Sequence, residues 1–276
     1  PYFKVLICPA TKKYSKTRES VEMKVTIIML TYNAPRYVEH SIRTIKDGTK
    51  GINYELLVYD NNSNEKTVKL LKDLKRRGYI DKLVFSDKNY YFVGGNNRAV
   101  RWVSEDTDLI LLINSDIEIR NSQWLLKMVD IHKKGITACQ VCSKIDNRPD
   151  GWCLLVDKDI YLEHMLDENR FTWYYSIADF GSRIMKSGYS VQTIECYQNF
   201  IRHFGGMSEI AKDILQDAHT LGDDIDKWYP HPCYLIKELA VDKKNKLNTG
   251  VNFVIYNFAY KIIRKLKNII NSLTCE

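Results

Sequence analysis

The sequence predicts an α/β fold in which helices flank a doubly wound, mainly parallel sheet. Apolar runs of strand length alternate along the chain with segments whose apolar residues recur at helical spacing. Three of these runs end abruptly in polar residues, at 31–33, 60–63 and 114–116. Strands that alternate with helices favour a parallel sheet, and such sheets bind ligands beyond the carboxyl ends of their strands. We therefore expect the three polar strand ends to line one crevice.

The first predicted strand, 25–30, is followed by Thr31, Tyr32 and Asn33. A helix is predicted from Pro35, because proline is favoured at the first helical position, to a stop at Gly48.

The second predicted strand, 56–59, is followed by Asp60. Its helix carries apolar residues between positions 68 and 74 and ends near Gly78. A third, shorter strand is predicted over 80–85.

A glycine-rich segment separates the third strand from the fourth. It contains Gly94, Gly95 and Asn96, and a helix is predicted to follow from about Asn97 to Val103. Two glycines permit close approach of the backbone to a ligand, and N–H groups ahead of a helix favour an anion. The glycine spacing fits neither a dinucleotide-binding fold nor a phosphate-binding P-loop.

The fourth strand, 109–113, delivers Asn114, Ser115 and Asp116 to the expected crevice. A carboxylate at this edge can hold a divalent metal. A buried strand followed by an ordinary polar turn is the alternative. The two other polar strand ends favour the metal interpretation.

Taken in order, these motifs resemble the nucleotide-sugar glycosyltransferases of family 2, which have the GT-A fold. The segment at 94–97 is similar to the GFAGGNN motif of their rhamnosyltransferase-like branch. The resemblance extends over residues 24–208.

The resemblance implies roles for individual residues. It implies that Asp60 and the end of the first strand hold the nucleoside, that 94–96 close over the nucleotide, and that Asn114 opens a DXD metal motif. It places Trp152 near the donor and acceptor sugars. The implied nucleotide-sugar-binding residues are Thr31, Tyr32, Asn33, Asp60, Gly94, Gly95, Asn96, Asn114 and Trp152.

The resemblance also implies a metal and a base. Asp116 would bind Mn²⁺ or Mg²⁺, which prefer oxygen ligands. His203, in a segment resembling H-x-G-G-x-S, would be a further metal ligand or a structural residue. The family's acidic EDxDFxxR cluster is reduced here to Asp179, Phe180 and Arg183. Asp179 would then be the general base, or it would be structural and the chain slow or inactive.

The predicted function is an inverting, metal-dependent transfer of a sugar from a nucleotide-diphosphate donor to a glycan or lipid-linked acceptor. A base is needed because the acceptor hydroxyl loses a proton as it attacks, and a metal stabilises the leaving diphosphate. A catalytically impaired domain that binds a nucleotide sugar or glycan is the alternative. Basic residues are not interleaved with aromatics in one tract, which argues against nucleic-acid binding.

The net charge of +7 is concentrated towards the ends of the chain. Residues 1–23 are predicted to be a basic extension, 24–240 the GT-A domain, and 241–276 a basic amphipathic C-terminal tail. A helix within 251–276 can lie on an anionic membrane, or dock on the domain or on another subunit.

The seven cysteines are scattered, so a disulfide framework is not expected. We recognise neither a signal peptide nor an apolar run of bilayer length, so a cytoplasmic location is expected.

Overall fold

The computed structural model describes residues 23–139, 149–173, 175–194 and 196–205. All of them belong to one compact unit, Glu22–Pro232. The predicted N-terminal extension, 1–23, lies outside the described residues except for its last position. The predicted tail, 241–276, with its amphipathic helix, lies entirely outside them.

The described elements alternate as predicted over the first half of the chain. Two short 3₁₀ turns, Val100–Trp102 and Tyr197–Asn199, accompany the helices and strands. The elements are β1 (Lys24–Thr31), α1 (Pro35–Gly48), β2 (Asn53–Asp60), α2 (Glu65–Arg76), β3 (Lys82–Phe85), α3 (Tyr91–Ala99), β4 (Leu109–Ile113), β5 (Ile117–Ile119), α4 (Trp124–Ile131), β6 (Gly135–Ala138), β7 (Cys153–Asp157), α5 (Lys158–His164), α6 (Ser176–Lys186), β8 (Ser190–Thr193) and β9 (Ile201–His203).

Seven strands form the central sheet in the order β3-β2-β1-β4-β7-β6-β8. The strands β3, β2, β1 and β4 are parallel, as are β6 and β8, whereas β7 runs antiparallel to both β4 and β6. The predicted mainly parallel sheet flanked by helices is confirmed. Because β7 is reversed, its first residue, Cys153, lies opposite Ile113, the last residue of β4.

Apolar layers cover both faces of this sheet. One contains Val38, Ile42 and Ile45, which form the apolar stripe of α1, and the other contains Phe180 and Ile184 of α6. All residues of β4 are buried, which explains its uninterrupted apolar sequence: a strand covered on both faces has no polar side.

The predicted loop at Gly94 and Gly95 is wrong, because both glycines lie inside α3, which begins at Tyr91 and not near Asn97. A Cβ atom on Gly95 would come within 2.6 Å of Leu30 Cδ1 and 3.0 Å of Asn61 Nδ2. This glycine therefore serves close packing of α3 on the end of β1. The close approach that the two glycines predicted is, at Gly95, an approach of a helix to a strand.

The described cysteines differ in state. Cys139 and Cys153 are free and buried, with their Sγ atoms 3.3 Å apart, and burial raises the pKa of the Cys153 thiol. Cys196 is disulfide-bonded, a pairing that the scattered cysteines did not predict.

No helix in the described part of the chain has the length and apolar character needed to cross a bilayer.

Candidate functional site

The ends of β1 and β2 meet in a hydrogen-bonded pair. Thr31 and Asp60 are register partners, and the Thr31 hydroxyl donates to Asp60 Oδ1 at 2.9 Å. The Ser63 N–H donates to Asp60 Oδ2, also at 2.9 Å. Both carboxylate oxygens are thereby oriented at the edge of the sheet, and each keeps a lone pair for a ligand donor.

Asn33 connects the segments that follow β1 and β2. Its backbone has a left-handed φ of 52°. Its N–H donates to Ser63 Oγ at 2.8 Å, and its Oδ1 accepts from the Asn64 N–H at 2.9 Å. Tyr32, beside it, is half-buried. The structure thus places the predicted nucleoside-binding residues of β1 beside Asp60, and their contact with a nucleoside stays a prediction.

The predicted nucleotide contacts of α3 are buried within the protein. Gly94, Gly95 and Asn96 are buried, and Asn96 Nδ2 donates to the Phe92 carbonyl at 2.8 Å. The start of α3 nevertheless lies at the carboxyl edge of the sheet, because Asn61 binds it there. A contact of residues 94–96 with the nucleotide stays a prediction.

The end of β4 forms a second polar cluster with β9. The Nε2 atom of His203 lies 3.2 Å from Asp116 Oδ1 and 3.3 Å from Asn114 Nδ2. The pairing of β5 with β9 sets His203 in register with Ile117, the residue after Asp116. Two residues predicted separately as metal ligands are therefore neighbours in space.

Trp152 supports His203 from one side. Its ring is stacked on the imidazole, with centroids 4.8 Å apart and planes inclined by 8°. Trp152 is 3% exposed, and its indole nitrogen is buried with no hydrogen-bond partner among the described residues. A buried donor without an acceptor is costly, so a ligand oxygen there would be stabilised.

The donor set at the end of β4 suits a hard divalent cation. Within the described ranges, no three His, Cys, Asp or Glu side chains converge as a metal site. Asp116, His203 and the carboxamide of Asn114 do converge, and they offer a carboxylate, an imidazole and, with the amide turned, a carbonyl oxygen. These residues fit Mn²⁺ or Mg²⁺ completed by ligand and water oxygens.

Comparison with known proteins identifies the family of the chain. The family model described as "Glycosyl transferase family 2" matches residues 26–199. The chain belongs to glycosyl transferase family 2.

Solved structures show the fold of this family 2 chain. One is a mannosyltransferase from Pyrobaculum calidifontis, PcManGT, in complex with GDP-Man and Mn²⁺. Its sequence identity to this chain is 16% and the TM-score is 0.51, and the match covers 62% of this chain and 54% of PcManGT. S. aureus TarS 1–349 in complex with UDP-GlcNAc is 15% identical with a TM-score of 0.51, over 68% of this chain and 61% of that one. The family 2 chain thus spans 54% and 61% of the lengths of these proteins. The likeness establishes a GT-A-type fold.

The carboxylate of Asp179 in the family 2 chain is engaged by two arginines. Asp179 is on α6 and 2% exposed, and it pairs with Arg183 Nε at 2.8 Å and Arg170 Nη1 at 3.2 Å. Arg183 also donates to the carbonyls of His164 and Met165. The carboxylate therefore anchors the segment after α5, and its role as general base stays a prediction.

The place of the family's missing acidic pair is taken here by Tyr175, Ser176 and Ile177. Ile177, in the first turn of α6, is buried, and its Cγ1 would lie 2.7 Å from a Cβ on Gly151. The start of α6 therefore packs directly against the chain just ahead of Trp152.

Two supporting residues of the family 2 chain were missed from the sequence. The first is Asn61, whose side chain binds the start of α3: Nδ2 donates to the Tyr91 carbonyl at 2.9 Å, and Oδ1 accepts from the Tyr90 N–H at 3.1 Å. Its backbone N–H donates to the Thr31 carbonyl at 2.8 Å. It joins the ends of β1 and β2 to α3. Its position directly after Asp60 in a polar strand end was the available signal.

Ser41 is the second residue that was missed. It is fully buried on α1, and its Oγ lies 2.9 Å from the Ser115 carbonyl and 2.8 Å from the Ile117 carbonyl while accepting from the Ile117 N–H. It fixes the backbone on both sides of Asp116. A serine within the apolar stripe of α1 was the signal.

Proposed function

We propose that this chain is a glycosyltransferase that moves a sugar from a nucleotide-diphosphate donor to an acceptor hydroxyl, with the help of a divalent metal. The observation that supports this most is the convergence of Asn114, Asp116 and His203 at the end of β4, at the same sheet edge as Asp60, in a family 2 chain.

Each polar cluster has a task in the proposed reaction. Asp60, oriented by Thr31 and Ser63, accepts hydrogen bonds from the nucleoside. Asp116 and His203 hold the metal, while Trp152 fixes the plane of the imidazole. A bound Mn²⁺ or Mg²⁺ would offset the negative charge that the leaving diphosphate gains.

The donor and acceptor classes are also part of the proposal. PcManGT is in complex with GDP-Man, and TarS with UDP-GlcNAc. These ligands support a nucleoside diphosphate sugar as donor here. The rhamnosyltransferase-like branch is proposed from the segment at 94–97, and the acceptor is proposed to be a glycan or lipid-linked molecule.

Metal-dependent binding is the first test. Calorimetry would measure UDP and GDP affinity with and without Mn²⁺, in wild type, Asp116→Asn and Glu118→Gln. Glu118 is a matched control, since it is a half-exposed acid on β5 with its own partner, Arg120, at 3.2 Å. We expect Mn²⁺ to strengthen binding in wild type and Glu118→Gln but not in Asp116→Asn. Equal Mn²⁺ dependence in all three would remove Asp116 from the metal site.

Turnover distinguishes the transferase from a binding module. Release of nucleoside diphosphate from UDP- and GDP-sugars, with water or added acceptors, measures it directly. Binding of donor without any release would favour the impaired domain, an alternative supported by the missing acidic pair, whose place is taken by Tyr175, Ser176 and Ile177.

The inverting mechanism with Asp179 as base has its own test. Asp179→Asn weakens the pairing with Arg170 and Arg183 in either case, so the melting temperature should fall. If Asp179 is also the base, turnover per folded molecule falls by roughly 10²–10⁴-fold and donor affinity is nearly unchanged. If it is only the anchor of Arg170 and Arg183, turnover falls only as the folded fraction does.

A further inference from the structure

Three consecutive aromatic residues lie at the start of α3, and their rings differ in surroundings. The ring of Tyr90 contacts two cations, Arg98 at 3.7 Å from its centroid and Lys88 at 4.9 Å. The ring of Phe92 stacks on Trp173 with centroids 6.4 Å apart. Within the described part of the chain, the side chain of Tyr91 makes no ring contact or hydrogen bond, and the residue is 40% exposed.

The backbone of Tyr91 is held in an unfavourable conformation. Its φ is 56°, in the left-handed region where a bulky side chain is an outlier and glycine or asparagine would be accommodated more easily. Asn89 Oδ1 accepts from the Tyr91 N–H at 2.8 Å, and Asn61 Nδ2 donates to its carbonyl at 2.9 Å. The side chains of Asn89 and Asn61 thus hold Tyr91 in a backbone conformation that tyrosine normally avoids.

The same hydrogen bonds place Tyr91 beside the proposed nucleoside site. Asn61 directly follows Asp60, and its N–H donates to the carbonyl of Thr31 at 2.8 Å. The side chain of Asn61 therefore links Tyr91 directly to the ends of the strands that carry Thr31 and Asp60.

Strain and exposure together call for a functional explanation. An exposed tyrosine alone needs none, because single apolar side chains are common on surfaces. Strained backbone, however, persists where the surrounding structure enforces it, and it concentrates at ligand-binding positions. The fixed backbone of Tyr91 presents an exposed ring, and a planar ligand group can stack on such a ring.

We propose that the ring of Tyr91 stacks on the nucleobase of the donor and is a specificity-determining residue of this site. The inference rests on the proposed function, because it assumes a nucleotide donor held by Asp60. Stacking on an aromatic side chain tolerates any base, since every base has a π-face. Tyr91 thus favours nucleotides over phosphate compounds that lack a base, whereas Asp60 reads the hydrogen-bonding groups.

The test uses the full chain with Tyr91→Gly, Tyr91→Phe and Trp102→Ala. Trp102 is a matched control, being 54% exposed and on the 3₁₀ turn beyond the other end of α3. Calorimetry would measure UDP, GDP and inorganic pyrophosphate, each with Mn²⁺, and thermal unfolding would be followed without ligand.

Two opposite effects are expected in Tyr91→Gly. Its melting temperature should rise, because glycine adopts the left-handed conformation without strain. Its affinity for UDP and GDP should fall about tenfold, equivalent to ~1.4 kcal/mol, while pyrophosphate affinity stays unchanged. Tyr91→Phe and Trp102→Ala should bind all three ligands as wild type does.

Three results would overturn the inference. Unchanged UDP and GDP affinity in Tyr91→Gly would overturn it while leaving the proposed function intact. A parallel loss of pyrophosphate affinity would show that the substitution disturbs the metal end and not a stacking contact. A wild type that binds pyrophosphate but neither nucleotide would overturn both this inference and the proposed function.

Discussion

Asp60 and Asp116 stand at the ends of two strands of one sheet, but their surroundings differ. Asp60 is hydrogen-bonded by uncharged groups, the Thr31 hydroxyl and the Ser63 N–H. Asp116 faces the imidazole of His203, which also contacts the carboxamide of Asn114. Neutral donors orient a carboxylate for further hydrogen bonds, whereas converging donor atoms of several ligands suit a cation. The residues around each acid thus support the two different tasks that we propose.

Asn61 offers a prediction at this scale. Asn61→Ala leaves the Tyr90 N–H and the Tyr91 carbonyl without their side-chain partners, which should destabilise the fold by ~1–3 kcal/mol. Nucleotide affinity should fall as well, since the start of α3 is released. Urea unfolding and UDP calorimetry would measure the two effects.

Asn89→Ala is the control for Asn61, because it removes one bond to Tyr91 and leaves the junction of β1, β2 and α3 in place. If Asn61→Ala proves as stable as Asn89→Ala and binds UDP equally well, Asn61 does not position the site.

The sequence identified the acids and missed the residues that position them. Asp60, Asn114 and Asp116 could be found because they end apolar runs, and His203 because of the motif around it. The functions of Asn61 and Ser41 depend on backbone groups that come from distant segments, 30 and 76 positions away. Hydrophobic periodicity carries no information about such partners.

At the scale of elements, the reversed strand β7 is what brings Trp152 to the site. The Asn114 N–H donates to the Trp152 carbonyl at 2.8 Å, just beyond the last pair of the β4–β7 ladder. A residue that precedes a strand reaches the carboxyl edge only if that strand is antiparallel. Alternation of strands and helices predicts parallel neighbours, so the direction of β7 could not be read from the sequence.

The contact between Gly151 and α6 supports a prediction for this region. Gly151→Ala should destabilise the protein by ~1–3 kcal/mol, because its new methyl group meets Ile177 Cγ1 and the Phe92 ring. Ile177→Ala removes the nearer obstacle, so the double variant should be more stable than the sum of the two single changes predicts. Urea unfolding of the four proteins measures the coupling.

Additive effects in this cycle would show that Gly151 and Ile177 relax independently. Gly78→Ala would be a poor control despite the open space around it, because Gly78 has a φ of 78° and its substitution is strained for another reason. Gly48→Ala, whose nearest atom is an Ile119 methyl at 3.0 Å on the other side of the sheet, is a better one.

At the scale of the molecule, the described chain divides into a parallel half and a half of mixed direction. The parallel half, β3-β2-β1-β4, carries all the strand ends that the sequence predicted. The other half contains β7, β6 and β8, together with the separate β5–β9 pair, and its short strands gave no periodic signal. Burial alone did not decide which strands were predicted, because β3 is partly exposed and was predicted whereas β7 is buried and was not.

The tail supplies a prediction for the whole chain. Residues 251–276 lie outside the described residues, and their membrane contact stays a sequence prediction. Deletion of 251–276 should abolish co-sedimentation with anionic liposomes at low salt and spare nucleotide binding, because the basic amphipathic segment is lost and the site is not. A full chain that ignores anionic liposomes would favour docking on the domain or on another subunit.

From the pairing of β5 with β9 we also predict the order in which the two polar clusters assemble. Thr31 and Asp60 are 29 positions apart, whereas Asn114 and His203 are 89 apart. Contacts between residues distant along the chain form later, since they require a longer loop to close. A metal bound by both Asp116 and His203 would therefore cross-link the two ends of the longer of these chain segments, and a chelator would remove that cross-link. Chelation should speed amide hydrogen exchange in β9 well before it does so in β1 or β2, and equal acceleration throughout the sheet would contradict this order.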